Sequence, residues 1–215
     1  MKIAVMQPYF FPYLGYFQLI SSADLFVIYD CVQFSRRGWV HRNKFTSASG
    51  QISWLTLPLK KSPISTMINK LELRDEADSL IETRLMKFPL IYKSVMEKKL
   101  KIGLYTKGNK NLVKYLERTI NEVSEYFSIK TNFIRSSSLN IPIEYTGENR
   151  IIQIAKCLHA STYVNSPGGI GLYNYKTFKD NNIDLKFLST YKGNNTSILE
   201  RIFMENKKDL INEIN

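Results

Sequence analysis

Cysteine and histidine are scarce in this chain: 215 residues contain two of each. Cys31 and Cys157 stand far apart with no CxxC pair. That excludes a disulfide framework and a structural zinc site, no bound metal is expected, and a reducing cytoplasm fits best. Long apolar runs are missing too. No stretch approaches the ~18 uncharged apolar residues a bilayer span needs. The apolar start of the chain carries Gln7, Pro8 and Pro12 and no small-residue cleavage site, so it does not read as a secretory signal. Neither a GxGxxG fingerprint nor a Gly-Lys-Ser/Thr phosphate loop occurs. There is no internal repeat and no low-complexity linker. Acidic side chains are outnumbered, 19 against 30 basic ones, for a formal charge of +11. The expected partners are therefore anionic: nucleic acid, a phosphorylated metabolite or a membrane surface. The basic clusters Lys60-Lys61, Lys98-Lys99-Lys101 and Lys207-Lys208 are scattered along the chain. They look like solvated faces rather than one groove, so specific nucleic-acid binding is not expected.

What is present is an alternation of short apolar runs and amphipathic stretches. Lys2 to Met6 reads as a buried strand stopped by Gln7-Pro8, Tyr13 to Ser21 as a short helix, and Asp24 to Tyr29 as a second buried strand. Strand, tight loop, helix and strand suggest a βαβ unit with parallel pairing. Trp39 to Thr46 and Gln51 to Leu57 form a hairpin pattern around Ser47-Ala48-Ser49-Gly50. Met67 to Leu73 reads as a further strand, and Asp78 to Lys101 as helix interrupted at Phe88-Pro89. Asn111 to Phe127 is the cleanest helix, with Leu112, Leu116, Ile120, Val123 and Phe127 on one face. Strands over Thr131 to Ser136, Ser161 to Asn165 and Ile183 to Ser189 follow, with a helix over Glu148 to Leu158 and a charged helix over Ser197 to Ile214. The expectation is one α/β domain over residues 1–215, a mainly parallel sheet with flanking helices and a helical insertion at about 75–130.

Three stretches carry side chains suited to chemistry. In MQPYFFPYLGYFQLI, Gln7 stands at the end of the first strand, where α/β sheets bind ligands. Its amide both donates and accepts, and Tyr9, Tyr13 and Tyr16 add hydroxyls on stackable rings. Phe10, Phe11, Phe17 and Leu19 are expected to be packing. In YDCVQFSRRGWVHRNKF, Asp30 ends the second strand and Arg37, Trp39, His41, Arg42 and Asn43 follow. Guanidinium groups grip phosphate or carboxylate, Trp39 can stack, and His41 suits proton transfer near neutral pH. Strand alternation would put Trp39 and His41 on one face and Arg42 on the other. In YVNSPGGIGLYNY, Ser166, Gly168, Gly169 and Tyr173 lie in or just after a turn whose amides can approach an anion. A plain turn is the competing reading. Cys31 with His41 lacks a third orienting residue, and His159 reads as structural or as a helix cap.

MQPYFFPYLGYFQLI with DLFVIYDCVQFSRRGWVHRNK resembles the signature of the WbqC-like family, and YVNSPGGIGLYNYKTFKDNNIDLKFL resembles that family's later block. The early motif maps onto Gln7, Pro8, Tyr9, Pro12, Gly15 and Tyr16, and the second onto Asp30, Gln33, Arg37, Gly38, Trp39, Arg42 and Asn43. Cys31 and His41 depart from it, standing where a second acidic residue and a polar residue such as Asn are frequent. The resemblance implies a role in bacterial O-antigen or other surface-polysaccharide synthesis. It implies acyl or aminoacyl (glycine-type) transfer to an amino sugar on a nucleotide- or lipid-linked carrier. The expected partner is then an anionic small molecule such as a nucleotide sugar, with a thioester or nucleotide as co-substrate. Asp30 or His41 would be the base and Arg37 and Arg42 the phosphate ligands. The expected location becomes the cytoplasm or the periphery of the inner membrane. Tyr13-Leu14-Gly15-Tyr16 also resembles, in position, the His-x-Gly-His motif of Rossmann-like nucleotidylyltransferases. That likeness implies a Rossmann-like fold and leaves nucleotidyl transfer as an alternative activity, with a basic nucleic-acid-binding module as the non-enzymatic one.

Overall fold

The computed structural model describes residues 1–97 and 103–214. Five parallel strands form the central sheet: β1 (Lys2–Met6), β2 (Leu25–Ile28), β5 (Asn132–Arg135), β6 (Thr162–Asn165) and β7 (Asp184–Phe187), in the order β5-β2-β1-β6-β7. The interiors of β1 and β2, at the middle of the sheet, are continuous apolar runs because both faces are covered, whereas the edge strand β7 alternates, with Leu185 buried and Asp184 and Lys186 exposed. The register is regular, with Ile3 opposite Leu25 and Tyr163, and Phe26 opposite Phe133. Chain order moves outward from β1 through β2 to β5, then returns to the other side of β1 with β6. The fold is thus α/β and Rossmann-like, with its switch of direction between β1 and β6.

Helix α1 (Leu14–Ser21) follows β1, and an antiparallel hairpin of β3 (Arg42–Thr46) and β4 (Ile52–Thr56) follows β2. Helices α2 (Ala77–Leu85), α3 (Pro89–Met96) and α4 (Leu112–Tyr126) come next, then α5 (Gly147–Cys157), α6 (Tyr175–Asp180), α7 (Ile198–Met204) and α8 (Lys207–Ile214). Two apolar clusters sandwich the sheet. The larger joins Phe10, Phe11, Leu14 and Phe17 to Phe45 of the hairpin, Leu116 and Ile120 of α4, and Leu199 of α7. The smaller packs Ile3, Val5 and Val27 against Ile151, Ile154, Tyr163 and Phe178. Truncating one of the fully buried phenylalanines costs about 3–5 kcal/mol.

Two expected elements differ. The 67–73 segment is not a strand but a 3-10 turn, Ile68–Lys70, flanked by single bridges. Two of its backbone donors are taken by the loop after β2: Ile68 N–H bonds Val32 O and Asn69 N–H bonds Asp30 O, 2.9 Å each. The C-terminal stretch is two helices, not one. Glu205 adopts extended backbone, and Asn206 Oδ1 accepts from Lys208 N at 2.8 Å to start α8. Arg201 is 3 % exposed and binds Glu205 and Glu213 together, which fastens the two helices across the break. The helix at 78–101 is interrupted by Pro89 as the sequence implies, giving α2 and α3. Its end at Lys101, with Lys98 and Lys99, lies outside the described residues.

Candidate functional site

Between β1 and α1 the chain crosses the carboxyl edge of the sheet as an aromatic loop, residues 7–13. Phe11 there has φ +43°, a conformation that costs a bulky residue about 1–3 kcal/mol and persists only when its surroundings enforce it. They do so from three distant points. Phe10 N–H donates to Trp39 O at 3.0 Å. The Asn43 amide, 5 % exposed, donates to Phe10 O at 3.0 Å and Phe11 O at 2.6 Å. Ser197 Oγ donates to Phe11 O at 2.8 Å, and Ile198 N–H to Pro12 O at 3.0 Å. Phe10 and Phe11 are thereby driven into the core and Tyr9 and Tyr13 are left at the edge.

A cavity of about 360 Å³ opens at this place, walled by Met6, Tyr9, Pro12, Tyr13, Gly15, Tyr16, Leu19, Trp39, Asn43, Ser166 and Asn195. Ligand sites run from about 300 to 1,000 Å³, so it holds one compact group. Tyr16 is buried and donates to Gln7 O at 2.9 Å. Burial pushes its hydroxyl pKa well above the ordinary phenol value, with Tyr9 nearby adding to the effect. Burial also raises Tyr9, reinforced by Tyr13, and raises Tyr13. All three remain protonated at neutral pH and act as hydrogen-bond donors. Among the described residues the Tyr9 and Tyr13 hydroxyls have no partner. Among the described residues no side chain caps the first turn of α1, where Tyr13 holds the cap position, and Gly15 of that turn lines the cavity, so the positive dipole end of the helix lies beside it. Gly15 lets the Tyr13 ring lie against the helix, because a Cβ would lie 2.4 Å from Tyr13 Cε2 and push the ring aside. The Tyr13 ring is backed by Tyr191, centroids 5.6 Å apart. A larger groove of about 660 Å³ borders α1 and α8, but it takes its walls from polar surface segments such as Ser189 to Gly193.

Tyr9, Tyr13, Tyr16, Trp39, Asn43 and Ser166 of the sequence-derived candidates line this cavity together. Gln7 lies next to it in the chain and contributes its carbonyl to Tyr16; its amide has no partner among the described residues. Asn43 is more than a wall: both faces of its amide are spent on backbone, since Oδ1 also accepts from Lys44 N at 2.7 Å. The proposed bases are elsewhere. Asp30 is 1 % exposed, and its carboxylate accepts from Ser136 Oγ at 2.9 Å, Ser137 N at 2.9 Å and Ser137 Oγ at 2.7 Å. It ties the end of β2 to the end of β5. His41 packs edge-on against Phe34, centroids 4.9 Å apart, and its buried Nδ1 has no partner among the described residues. Burial, then the adjacent Arg42 charge, lowers its pKa to about 4, which leaves it a weak base.

The expected shared face of Trp39 and His41 does not form. Strand β3 begins only at Arg42, so the bends before it break the alternation. Instead Trp39 meets Trp54 at 5.1 Å between centroids, and the Arg42 guanidinium lies 4.1 Å over the Trp54 ring. Arg42 also donates to Gly38 O at 3.3 Å and Arg37 O at 2.7 Å. Arg37 itself is exposed and borders a separate shallow cleft with Gln33 and Ile64. Gly168 and Gly169 belong to a 3-10 turn, Pro167–Leu172. Gly168 faces open space, while a Cβ on Gly169 would lie 2.5 Å from Asn165 Nδ2. Tyr173 is packing, bonded to Tyr163 at 3.3 Å and set against Phe178. Near the end of β2, Cys31 Sγ lies 2.9 Å from Ser136 Oγ and 3.1 Å from the Arg150 guanidinium, and burial pushes Tyr29 up to about 12. Among the described residues no group of three or more His, Cys, Asp or Glu converges as a metal site. No helix among them is long and apolar enough to cross a membrane.

The profile of the WbqC-like protein family matches residues 7–205, from the aromatic loop to the break between α7 and α8. The chain belongs to the WbqC-like family. An uncharacterized protein of Mycobacterium tuberculosis is 39 % identical over 59 residues, covering 27 % of this chain and 25 % of its own length. The chain thus spans about a quarter of that curated relative. No solved structure matches the chain. Ser197, Trp54 and Tyr191 escaped sequence reasoning. Only Trp54 had a legible signal: the hairpin register sets it opposite Lys44.

Proposed function

We propose that this WbqC-like protein is a transferase of bacterial surface-polysaccharide synthesis, moving an acyl or aminoacyl group onto an amino sugar held on a nucleotide carrier. The observation that carries the chemistry is the character of the cavity. Among the described residues its lining offers protonated phenols, amides and an uncapped helix start, but no carboxylate, imidazole or ammonium group. Such a site is suited to binding a polar group and stabilising an oxyanion, not to abstracting a proton. In acyl transfer the unprotonated fraction of the sugar amine, its ammonium proton already lost to solvent, carries the attacking lone pair. It attacks the activated carbonyl; Tyr9, Tyr13 and the first N–H groups of α1 hold the oxygen as it gains charge. The carbonyl re-forms as the leaving group departs with the bond's electron pair, and the amine proton passes to solvent. Asp30 and His41 serve the fold of the surrounding loops in this scheme. A thioester would supply the activated carbonyl.

The test is a melting screen with nucleotide sugars, coenzyme A thioesters and nucleoside triphosphates on the full chain. A ligand at 100 times its Kd stabilises by about 2.7 kcal/mol, roughly 5–10 °C for a protein of this size. Nucleotide sugars and thioesters should stabilise the protein, and Tyr13→Phe should remove most of the gain. Stabilisation by nucleoside triphosphates alone, with pyrophosphate released, would replace acyl transfer by nucleotidyl transfer.

A further inference from the structure

The cavity is too small for a whole nucleotide-linked sugar, so the rest of such a ligand must lie outside its mouth. Trp39 is both a wall of the cavity and 42 % exposed, and it leads outward to Trp54, itself 37 % exposed. Lys44 pairs with Trp54 across the hairpin, and strand alternation puts Arg42 on the same outer face. The Lys44 ammonium lies 5.3 Å from the Trp54 ring centroid and has no acidic partner among the described residues. Arg42 spends two nitrogens on backbone oxygens and keeps its second terminal nitrogen free of them. The opposite face of β3, Asn43 and Phe45, is buried, so the outer face gains nothing for the core from two tryptophans. Exposed indoles beside cations without acidic partners among the described residues match a ligand with a planar ring at one end and phosphates near it.

We propose that the Trp39–Trp54 pair, with Arg42 and Lys44, is the seat of a nucleoside diphosphate. The base lies against the indoles, the diphosphate lies along Lys44 and Arg42, and the group it carries points into the tyrosine cavity. This assignment rests on the cavity being the reaction site and names the carrier that delivers to it.

The chain has two tryptophans, and both are here, so intrinsic indole fluorescence reports this surface alone. The full chain is titrated with uridine diphosphate, adenosine diphosphate, inorganic pyrophosphate and a short single-stranded oligonucleotide. Nucleoside diphosphates should change the emission saturably, and pyrophosphate should bind far more weakly. Calorimetry on Trp54→Ala should show binding weakened by about 5- to 150-fold, the span of one base stacked on an aromatic ring. Trp54→Phe should recover part of that loss. Lys44→Ala should weaken binding and flatten its salt dependence. Equal affinity for pyrophosphate and nucleoside diphosphates, or an unchanged Trp54→Ala, would overturn the seat. An oligonucleotide bound more tightly than the mononucleotides would overturn it in favour of a single-strand surface. If Tyr13→Phe abolishes sugar-nucleotide stabilisation while Trp54→Ala does not, the seat fails and the cavity stands. If neither moves it, both fail.

Discussion

Asn43→Ala removes one amide and should unfasten the site. The side chain donates two hydrogen bonds, to Phe10 O and Phe11 O, each worth about 1 kcal/mol net, and accepts one from Lys44 N, which lies on the exposed side of β3, where solvent replaces it. Phe11 O keeps its bond from Ser197, but Phe10 O loses its side-chain donor in a buried place, a further penalty of about 1–3 kcal/mol. Relaxation of the strained Phe11 returns part of this, so the net loss is about 3–4 kcal/mol. At about 2–4 °C per kcal/mol, the melting temperature should fall by about 6–16 °C. Ser197→Ala alone should cost about 2 kcal/mol: about 1 for its bond to Phe11 O, which Asn43 still serves, and about 1 for the α7 N-cap, where its Oγ accepts from Leu199 N. The double variant should cost more than the sum, by roughly another 1 kcal/mol, since the two groups share one acceptor. Calorimetric melting of the four proteins reads all of this. A drop of less than about 2 °C for Asn43→Ala, or strict additivity in the double variant, would refute the claim that the loop is held from outside.

Acidification should weaken the protein through His41. Its pKa is about 4 in the fold against 6.5 when unfolded, so the unfolded chain takes the proton first and stability falls as pH drops from about 6.5 to about 4. Because the ring is only half-buried, solvent screening trims the effect to about 1 kcal/mol between pH 7 and pH 5, measurable as the difference in urea midpoints from His41→Phe. Asp30→Ala should cost about 3 kcal/mol by stranding Ser136 and Ser137 donors; a stable variant that merely lost activity would restore Asp30 as a base. Gly15→Ala gains helix propensity of about 1 kcal/mol but displaces the Tyr13 ring. Its melting point should stay near that of the parent while ligand-induced stabilisation disappears; retained stabilisation would separate Tyr13 from the site.

The middle of the sheet was readable because β1 and β2 are unbroken apolar runs, and Lys2–Met6 and Leu25–Ile28 fall within a residue of the expected bounds. The helix interruption at Pro89 and the hairpin turn were equally local properties. Met67 to Leu73 has a strand's composition, but neighbouring loop carbonyls claim its amides, and no local pattern records that. The break before α8 depends on Arg201 finding both Glu205 and Glu213. The site divides along the same line. Tyr9, Tyr13 and Tyr16 were visible because aromatic hydroxyls after a first strand are unusual. The engagement of Asp30 was hidden, since its serine partners lie more than a hundred residues away, Ser136 by 106 and Ser137 by 107.

The loop over residues 7–13 is clamped by Trp39, Asn43 and Ser197, none of which belongs to the βαβ unit that bears it. Closing contacts with so large a sequence separation is slow and comes late in folding. The sheet can therefore be native while its mouth is still unshaped. A chain ending short of Ser197 would lose one clamp and the α7 contact to Pro12 together. Binding would serve as a stricter test of completed folding than secondary structure. Conversely, a bound substrate would hold the two ends of the chain to one another, so protection from proteolysis should spread from the N-terminal loop into the C-terminal helices that follow Asn195.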